Sequence, residues 1–217
     1  MSDFARARRH MVDGQVRTAG VTDLAVIDAM LAVPREDFVG NANRAIAYLD
    51  LQLEVAPRRR LMTPMTVGRL LQAARIGPGR SVLISGCATG YTAALAAQLG
   101  ADVSATESDA ALAAQARANL GRAGFGGVTV VDGAVLAGHP GGAPFDVIVL
   151  DGGSERDLAP LCEQLRIDGD LVGVFALSVQ PQARKVTKSA EGLGYRPLFD
   201  ASAPILPGLE RSQSFQF

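Results

Sequence analysis

The stretch that decides the fold is Ser81-Val82-Leu83-Ile84-Ser85-Gly86-Cys87-Ala88-Thr89-Gly90-Tyr91. Its apolar run at 82–84 is typical of a strand buried inside a parallel sheet. Gly86 permits a sharp turn after that strand, and Gly90 permits close packing of the Ala- and Leu-rich helix predicted over 91–99. A strand, a thin loop and a helix N-terminus together predict a ligand site, because free backbone N–H groups point towards the ligand.

The loop differs from the G-x-G-x-x-G pattern of dinucleotide-binding proteins. That pattern needs a second glycine so that a pyrophosphate can approach the backbone, and Cys87 and Ala88 fill this space here. A ligand without phosphates, such as S-adenosylmethionine, needs less room in the loop. The alternative is a purely structural strand-to-helix turn in another kind of α/β protein.

An acidic residue follows at a suggestive spacing. Glu107 ends the strand predicted within 100–107, about 20 positions after Gly86. A carboxylate at this spacing is placed to accept hydrogen bonds from ribose hydroxyls. The alternative is a charge near the start of the helix predicted over 109–120, where a carboxylate suits the helix dipole. One side chain can serve both roles.

The composition is that of a globular chain with a sizeable core. Of its 217 residues, 48% are hydrophobic and 20% are charged, and the formal net charge is −1, so no strong field attracts nucleic acid or an anionic membrane. Residues 1–14 do not resemble a signal peptide, and no apolar run reaches the roughly 20 residues of a membrane span. Cys87 and Cys162 suggest no disulfide framework, which favours a cytoplasmic location; His10 and His139 lack metal-ligand spacing, so no metal is expected.

The order of predicted elements indicates an α/β fold. Predicted helices lie at 2–17, 21–33, 65–74, 91–99, 109–120, 158–165 and 182–192, and predicted strands lie at 82–84, within 100–107, and at 128–131, 145–151, 171–177 and 195–198. This order predicts a doubly wound, mostly parallel sheet in residues 80–217, with an N-terminal helical extension at 1–79 on the substrate side. Thr22 is the predicted N-cap of the second helix, and the arginine run at 58–60 favours a solvated loop.

Five short motifs occur in a specific order along nearly the whole chain. They are Val-Pro-Arg-Glu-Asp-Phe-Val at 33–39, Ala-Tyr-Leu-Asp at 47–50, the loop motif at 82–91, Asp132-Gly133, and Gln164-Leu165 with Gly169. Together they resemble the motifs of the protein L-isoaspartate O-methyltransferases, a family of class I S-adenosylmethionine-dependent enzymes. The resemblance implies methylation of the abnormal α-carboxyl of L-isoaspartyl residues in aged proteins, after which the ester cyclises to a succinimide.

The sequence departs from this family's pattern at several positions. The family's Ser-Gln-Pro triplet is Met62-Thr63-Pro64 here, so the expected active-site serine falls on Met62. Thr63 supplies a hydroxyl one residue later, and we expect it to orient the acceptor carboxylate. In the cofactor motif, Ile84 stands where the family has an acid, and Ala88 stands where it has a second glycine. These departures affect recognition of isoaspartate more than binding of the cofactor.

The resemblance and the strand ends together give a set of candidate S-adenosylmethionine-binding residues. They are Gly86, Cys87, Ala88, Gly90, Tyr91, Glu107, Asp132, Gly133 and Asp151. Glu107 is expected to hold the ribose, and Asp132 to accept a hydrogen bond from the adenine amino group. Asp151, where the family has a small or hydroxyl residue, either faces the methyl-transfer end or caps its strand. Cys87 is interpreted as a small packing residue.

Four functions remain open from the sequence. The first is an isoaspartyl O-methyltransferase acting on damaged peptides or proteins. The second is a methyltransferase with another acceptor, which the lost serine and Asp151 favour. The third is a non-catalytic relative that binds the cofactor, or nothing, and acts through a protein partner. An NAD-linked oxidoreductase is weakest, because the dinucleotide loop and a Tyr-x-x-x-Lys pair are missing from the sequence. The sequence does not indicate an oligomeric state.

Overall fold

The computed structural model describes residues 3–178 and 180–211, built as a central sheet with helices around it. The α-helices are α1 (Asp3–Met11), α2 (Leu24–Ala32), α3 (Pro64–Ala74), α4 (Tyr91–Gln98), α5 (Ala110–Arg122) and α6 (Ala159–Cys162). The strands are β1 (Leu53–Ala56), β2 (Arg59–Leu61), β3 (Ser81–Ser85), β4 (Asp102–Glu107), β5 (Thr129–Asp132), β6 (Phe145–Ser154), β7 (Leu165–Phe175), β8 (Gln182–Lys188) and β9 (Leu193–Asp200). A π-helical turn continues α1 over Val12–Val16.

Seven of these strands form the central sheet, in the order β5-β4-β3-β6-β7-β8-β9. Neighbouring strands from β5 to β7 are parallel, whereas β8 and β9 are antiparallel to their neighbours. The chain moves outward from β3 to β4 and β5, then returns to β6 on the other side of β3. Ligands of doubly wound sheets bind beyond the carboxyl ends of the strands at such a reversal. The predicted mostly parallel sheet is confirmed.

The helix predicted over 182–192 is wrong, because β8 occupies most of this stretch. Val186 and Thr187 are β-branched and favour a strand. Lys185 Nζ donates a hydrogen bond of 2.7 Å to Asp170 on β7, and the Thr187 hydroxyl donates one of 2.6 Å to the same carboxylate. Pairing with β7 on one side and β9 on the other therefore overrides the helical propensity of the segment.

The N-cap of α2 is Asp23 rather than the predicted Thr22. Asp23 Oδ1 accepts hydrogen bonds from the backbone N–H groups of Ala25 and Val26, at 2.9 and 3.4 Å. These bonds satisfy two of the donors that a helix start leaves free. The backbone N–H of Thr22 instead donates to the side-chain oxygen of Gln72 on α3, at 2.7 Å. The start of α2 is thereby tied to α3.

Two other elements differ in length from their predictions. The strand predicted over 145–151 continues to Ser154, so Asp151 lies within β6 rather than at its end. The helix predicted over 158–165 is the short α6, because β7 already begins at Leu165.

One hydrophobic cluster joins the N-terminal elements to the sheet. Met11, Met30 and Val67 belong to the same buried cluster as Val82 and Leu95. This packing fixes the N-terminal elements against one face of the sheet, and Cys87 and Ala88 of the loop after β3 belong to the same cluster. Among the described residues, no helix has the length and apolar character needed to cross a membrane.

Candidate cofactor site

The loop between β3 and α4 forms the floor of the site. Gly86, Ala88 and Gly90 have φ values of 77°, 48° and 95°. Glycine adopts this left-handed region freely, whereas alanine does so at a cost. A Cβ at Gly90 would lie 3.2 Å from the side chain of Leu120, so this glycine makes room for α5.

Glu107, at the end of β4, holds this loop in place. Its side chain is fully buried, and Oε2 accepts a 2.7 Å hydrogen bond from the backbone N–H of Ala88. Oε1 accepts hydrogen bonds from the backbone N–H groups of Ser108 and Asp109, at 2.9 and 3.1 Å. The carboxylate therefore stabilises the left-handed Ala88 as well as the turn that leads into α5.

Arg59 fills the space in front of Glu107. Arg59 Nη2 donates to Glu107 Oε2 at 2.5 Å and to the backbone oxygen of Gly86 at 3.1 Å. The residue is only 3% exposed. Its Nε and Nη1 atoms are buried and find no hydrogen-bond partner in the part of the chain that the structure describes. The guanidinium thus occupies the space in front of the carboxylate that the sequence predicts to hold a ribose.

Burial of Arg59 corrects the expectation of a solvated arginine loop at 58–60. The side chains of Arg58 and Arg60 are 86% and 52% exposed, whereas Arg59 points into the molecule. The reason is the strand β2, in which successive side chains point to opposite faces. The Arg59-Arg60-Leu61 alternation of buried, exposed and buried residues carried this signal in a segment too short to be recognised as a strand.

Leu206 covers the glycines of the site. It lies after β9 and is fully buried. A Cβ built on Gly86 would lie 2.8 Å from Leu206 Cδ1, and one built on Gly152 would lie 2.6 Å from Leu206 Cγ. The segment after β9, residues 201–211, is fixed to β6 by two backbone hydrogen bonds. Gly153 N donates to Pro204 O at 2.7 Å, and Leu206 N donates to Gly153 O at 3.0 Å.

Asp151 is buried beside these groups. Its Oδ1 accepts a 2.8 Å hydrogen bond from the Thr92 hydroxyl, and Oδ2 has no hydrogen-bond partner among the described residues. Burial raises the pKa of Asp151 to about 6, against the opposing effects of the Thr92 hydrogen bond and the charges of Arg59 and Arg35. The carboxyl is thus poised to change charge near neutral pH.

Arg35 supports the site from the N-terminal side. It is fully buried, donates to the backbone oxygens of Ala47 and Met62 at 2.9 and 2.8 Å, and lies 4.8 Å from the centre of the Tyr91 ring. Burial lowers the pKa of Arg35 and raises that of Tyr91. Burial likewise raises the pKa of the Cys87 thiol. A buried thiol that stays protonated is unreactive, as expected of a packing residue.

The side chain of Met62 lies in the core, and Thr63 caps α3. Thr63 Oγ1 accepts a 3.3 Å hydrogen bond from the backbone N–H of Thr66 and donates one of 3.0 Å to the Thr66 hydroxyl. The hydroxyl predicted to orient an acceptor is therefore engaged within its own helix start. Its proton is the part that can be redirected, because the capping bond uses only a lone pair.

Asp132 and Gly133 lie next to Glu107 across the sheet. Asp132 is the strand partner of Glu107, and Gly133 N donates to the backbone oxygen of Glu107 at 2.9 Å. The Asp132 side chain is exposed and pairs with Arg117.

Within residues 3–178 and 180–211, no group of three or more His, Cys, Asp or Glu side chains is arranged to hold a metal ion.

A family model described as Protein-L-isoaspartate(D-aspartate) O-methyltransferase matches residues 6–195. The chain belongs to this family. The protein-L-isoaspartate O-methyltransferase of Gloeobacter violaceus is 37% identical over 182 residues, which cover 84% of this chain and 89% of that protein. The family binds S-adenosylmethionine, and the resemblance inferred from the sequence motifs is confirmed.

The fold of this chain is similar to that of two solved structures. A protein-L-isoaspartate O-methyltransferase superposes with a TM-score of 0.81 at 23% identity, covering 93% of this chain and 66% of that one. A putative family member from Plasmodium falciparum, in complex with S-adenosyl-L-homocysteine, gives a TM-score of 0.79 at 16% identity, covering 95% and 99%. Both likenesses establish the class I methyltransferase fold.

Arg59 and Leu206 lie among the candidate cofactor residues in this arrangement of the chain. The fold brings the loop 86–90, Glu107 and Asp132 together at the carboxyl ends of neighbouring strands. Both oxygens of Glu107 already accept hydrogen bonds, and Leu206 lies against two glycines of the site. The candidate residues are therefore assembled, but two other side chains of the same chain occupy the space between them.

Proposed function

We propose that this chain is an S-adenosylmethionine-dependent O-methyltransferase whose acceptor is the carboxylate of L-isoaspartyl residues in damaged proteins. The observation that carries the proposal is the family match across residues 6–195. The convergence of Gly86, Glu107 and Asp132 at neighbouring strand ends supports it. A cytoplasmic location and the roles of the individual site residues stay predictions.

Methyl transfer to a carboxylate requires the protein to position the acceptor and does not require a strong base. A carboxylate acceptor has a pKa of about 4 and is already ionised at neutral pH. S-adenosylmethionine supplies the electrophilic methyl group when it is bound. The chain's own contribution is to align the acceptor and exclude water. Thr63 would serve by turning its proton from Thr66 to the acceptor while its oxygen continues to cap α3.

A second candidate is a family member that no longer transfers methyl groups. The observation that favours it is the position of Arg59 and Leu206 between the candidate cofactor residues. Such a protein would keep the fold and act through another property of its surface.

The deciding experiment is transfer of labelled methyl from S-adenosylmethionine to a peptide that contains one L-isoaspartyl residue. We expect base-labile methyl ester on this peptide and background label on the same peptide with a normal aspartyl residue. Thr63→Val should lower the yield, whereas Thr63→Ser, which keeps the hydroxyl, should retain it. Background label on both peptides would reject the proposed acceptor and leave the second candidate.

A further inference from the structure

Two segments from distant parts of the chain meet over the candidate cofactor site. The hairpin β1–β2 carries Arg59, and residues 201–211 carry Leu206. The segments also touch each other, because Arg58 Nη2 donates to Glu210 Oε1 at 3.3 Å. The site is therefore covered by two segments that contact each other, and not by a single side chain.

Arg59 donates a hydrogen bond to Glu107, the carboxylate that is predicted to accept hydrogen bonds from a bound ribose. Its guanidinium donates to Glu107 and to the backbone oxygen of Gly86. The pair is buried on both sides, with side-chain exposures of 4% and 0%. A buried cation without its anion is strongly unfavourable, so Arg59 and Glu107 hold each other in this arrangement. A ribose hydroxyl has to displace a charged donor to reach the carboxylate.

Leu206 and its neighbour Ile205 fit a surface that three glycines leave open. Side chains on Gly86 or Gly152 would collide with Leu206, and one on Gly153 would lie 3.0 Å from Ile205 Cδ1. The backbone bonds between Gly153 and the segment fix Leu206 in register with this surface. The end of β6 is thus shaped to accept the segment.

We propose that Arg59 and Leu206 form an internal plug that excludes S-adenosylmethionine until both side chains withdraw from the site. The identity of the excluded ligand rests on the proposed function, and the plug adds a control on the same site. Cofactor affinity is then set by the stability of the plug as well as by the contacts that the cofactor makes.

A cavity next to the site can accommodate the Arg59 side chain when it leaves Glu107. A cavity of about 460 Å³ lies directly outside the site, and Arg59, Asp109, Pro207 and Glu210 contribute to its wall. The carboxylates of Asp109 and Glu210 make the wall of this cavity acidic, which favours a guanidinium that moves into it. When Arg59 leaves, Glu107 keeps three backbone N–H donors, from Ala88, Ser108 and Asp109, so the loop stays supported.

The test is calorimetric titration with S-adenosylhomocysteine, which reads binding without turnover. The plug variant is Arg59→Ala with Leu206→Ala, and the matched control is Arg60→Ala with Leu161→Ala. Arg60 is an exposed neighbour on β2, and Leu161 is a buried leucine of α6, outside both segments that cover the site. We expect the plug variant to bind at least about tenfold more tightly than the wild type, because the fraction of open molecules rises. The control should bind as the wild type does.

Equal affinity of wild type and plug variant would overturn the plug, whether both bind or neither does. Far-UV circular dichroism checks that each variant is folded, and Arg59→Ala alone replaces the double variant if that one is not. The proposed function fails separately: a plug variant that gains binding but forms no isoaspartyl ester keeps the plug and rejects the acceptor. A wild type that binds as well as the variant and forms ester does the reverse.

Discussion

Arg59 and Glu107 lie 48 positions apart in the sequence and are joined by a 2.5 Å hydrogen bond between Nη2 and Oε2, in a site closed to solvent. The contact links a two-stranded hairpin to the end of a central strand. It also places a cation against the carboxylate that is predicted to hold the ribose of the cofactor. In the proposed plug, protein stability and cofactor binding depend on the same pair of charges.

Loss of the acid should be costly for the fold. Glu107→Ala leaves the Arg59 cation buried, and it removes the acceptor of the N–H groups of Ala88, Ser108 and Asp109. We expect the free energy of unfolding to fall by about 3–5 kcal/mol, as for other buried pairs that lose one partner. Urea denaturation followed by circular dichroism measures the change.

The control for this prediction is Asp132→Ala. Asp132 pairs with Arg117 at the surface, where the two side chains are 54% and 44% exposed. Exposed pairs contribute about 0–1 kcal/mol. Similar losses for Glu107→Ala and Asp132→Ala would show that the buried carboxylate does not organise the loop.

Contact between Leu206 and Gly152 should appear as an energetic coupling. Gly152→Ala places a Cβ 2.6 Å from Leu206 Cγ and 2.9 Å from the backbone oxygen of Pro204. We expect it to lower the free energy of unfolding by about 1–3 kcal/mol, as overpacking does. In a Leu206→Ala background the same change should cost less, with a coupling of about 0.5–3 kcal/mol between the two sites.

Gly126→Ala is the matched control, because no atom lies within 4 Å of a Cβ built there. It should change stability by no more than about 0.5 kcal/mol. Additive costs of Gly152→Ala and Leu206→Ala in thermal or urea unfolding would mean that the segment does not press on the end of β6.

Asp151 should give stability a characteristic pH dependence. Its pKa is about 6 in the folded chain, above the ordinary value of 3.8 for an aspartic acid side chain. The folded state therefore binds this proton more tightly than the unfolded state, so the contribution is stabilising at low pH and is lost as pH rises from about 4 to 6. Asp151→Asn removes the titration. Its stability relative to the wild type should increase between pH 4 and pH 7 by about 1.4 kcal/mol for each unit of pKa shift.

Urea denaturation of both proteins at several pH values tests this prediction, with the exposed Asp132→Asn as the control. A constant difference between Asp151→Asn and wild type across the range would contradict a raised pKa. A difference that grows with falling pH would contradict the sign.

Local signals predicted the part of the site built from consecutive residues. The apolar run, the glycine turn and the helix of 81–99 lie as expected, and Glu107 ends the next strand, because each depends on neighbours in sequence. β8 was predicted as a helix, since its identity is decided by pairing with β7 and β9 rather than by its own residues.

The two residues that occupy the site depend on long-range contacts. Arg59 stands in a three-residue strand between two exposed arginines, and composition alone favoured a solvated loop. Leu206 follows the last predicted strand and carries no motif. Each is placed by tertiary packing, from a hairpin before the sheet and a segment after it, and a local pattern does not contain that information.

The position of Leu206 has a consequence for limited proteolysis. Residues 201–211 follow every strand of the sheet in sequence, and Leu206 N donates a hydrogen bond to Gly153 O at the end of β6. A protease that cuts between β9 and Leu206 would therefore leave all seven strands of the sheet in one fragment and detach the residue that covers Gly86 and Gly152.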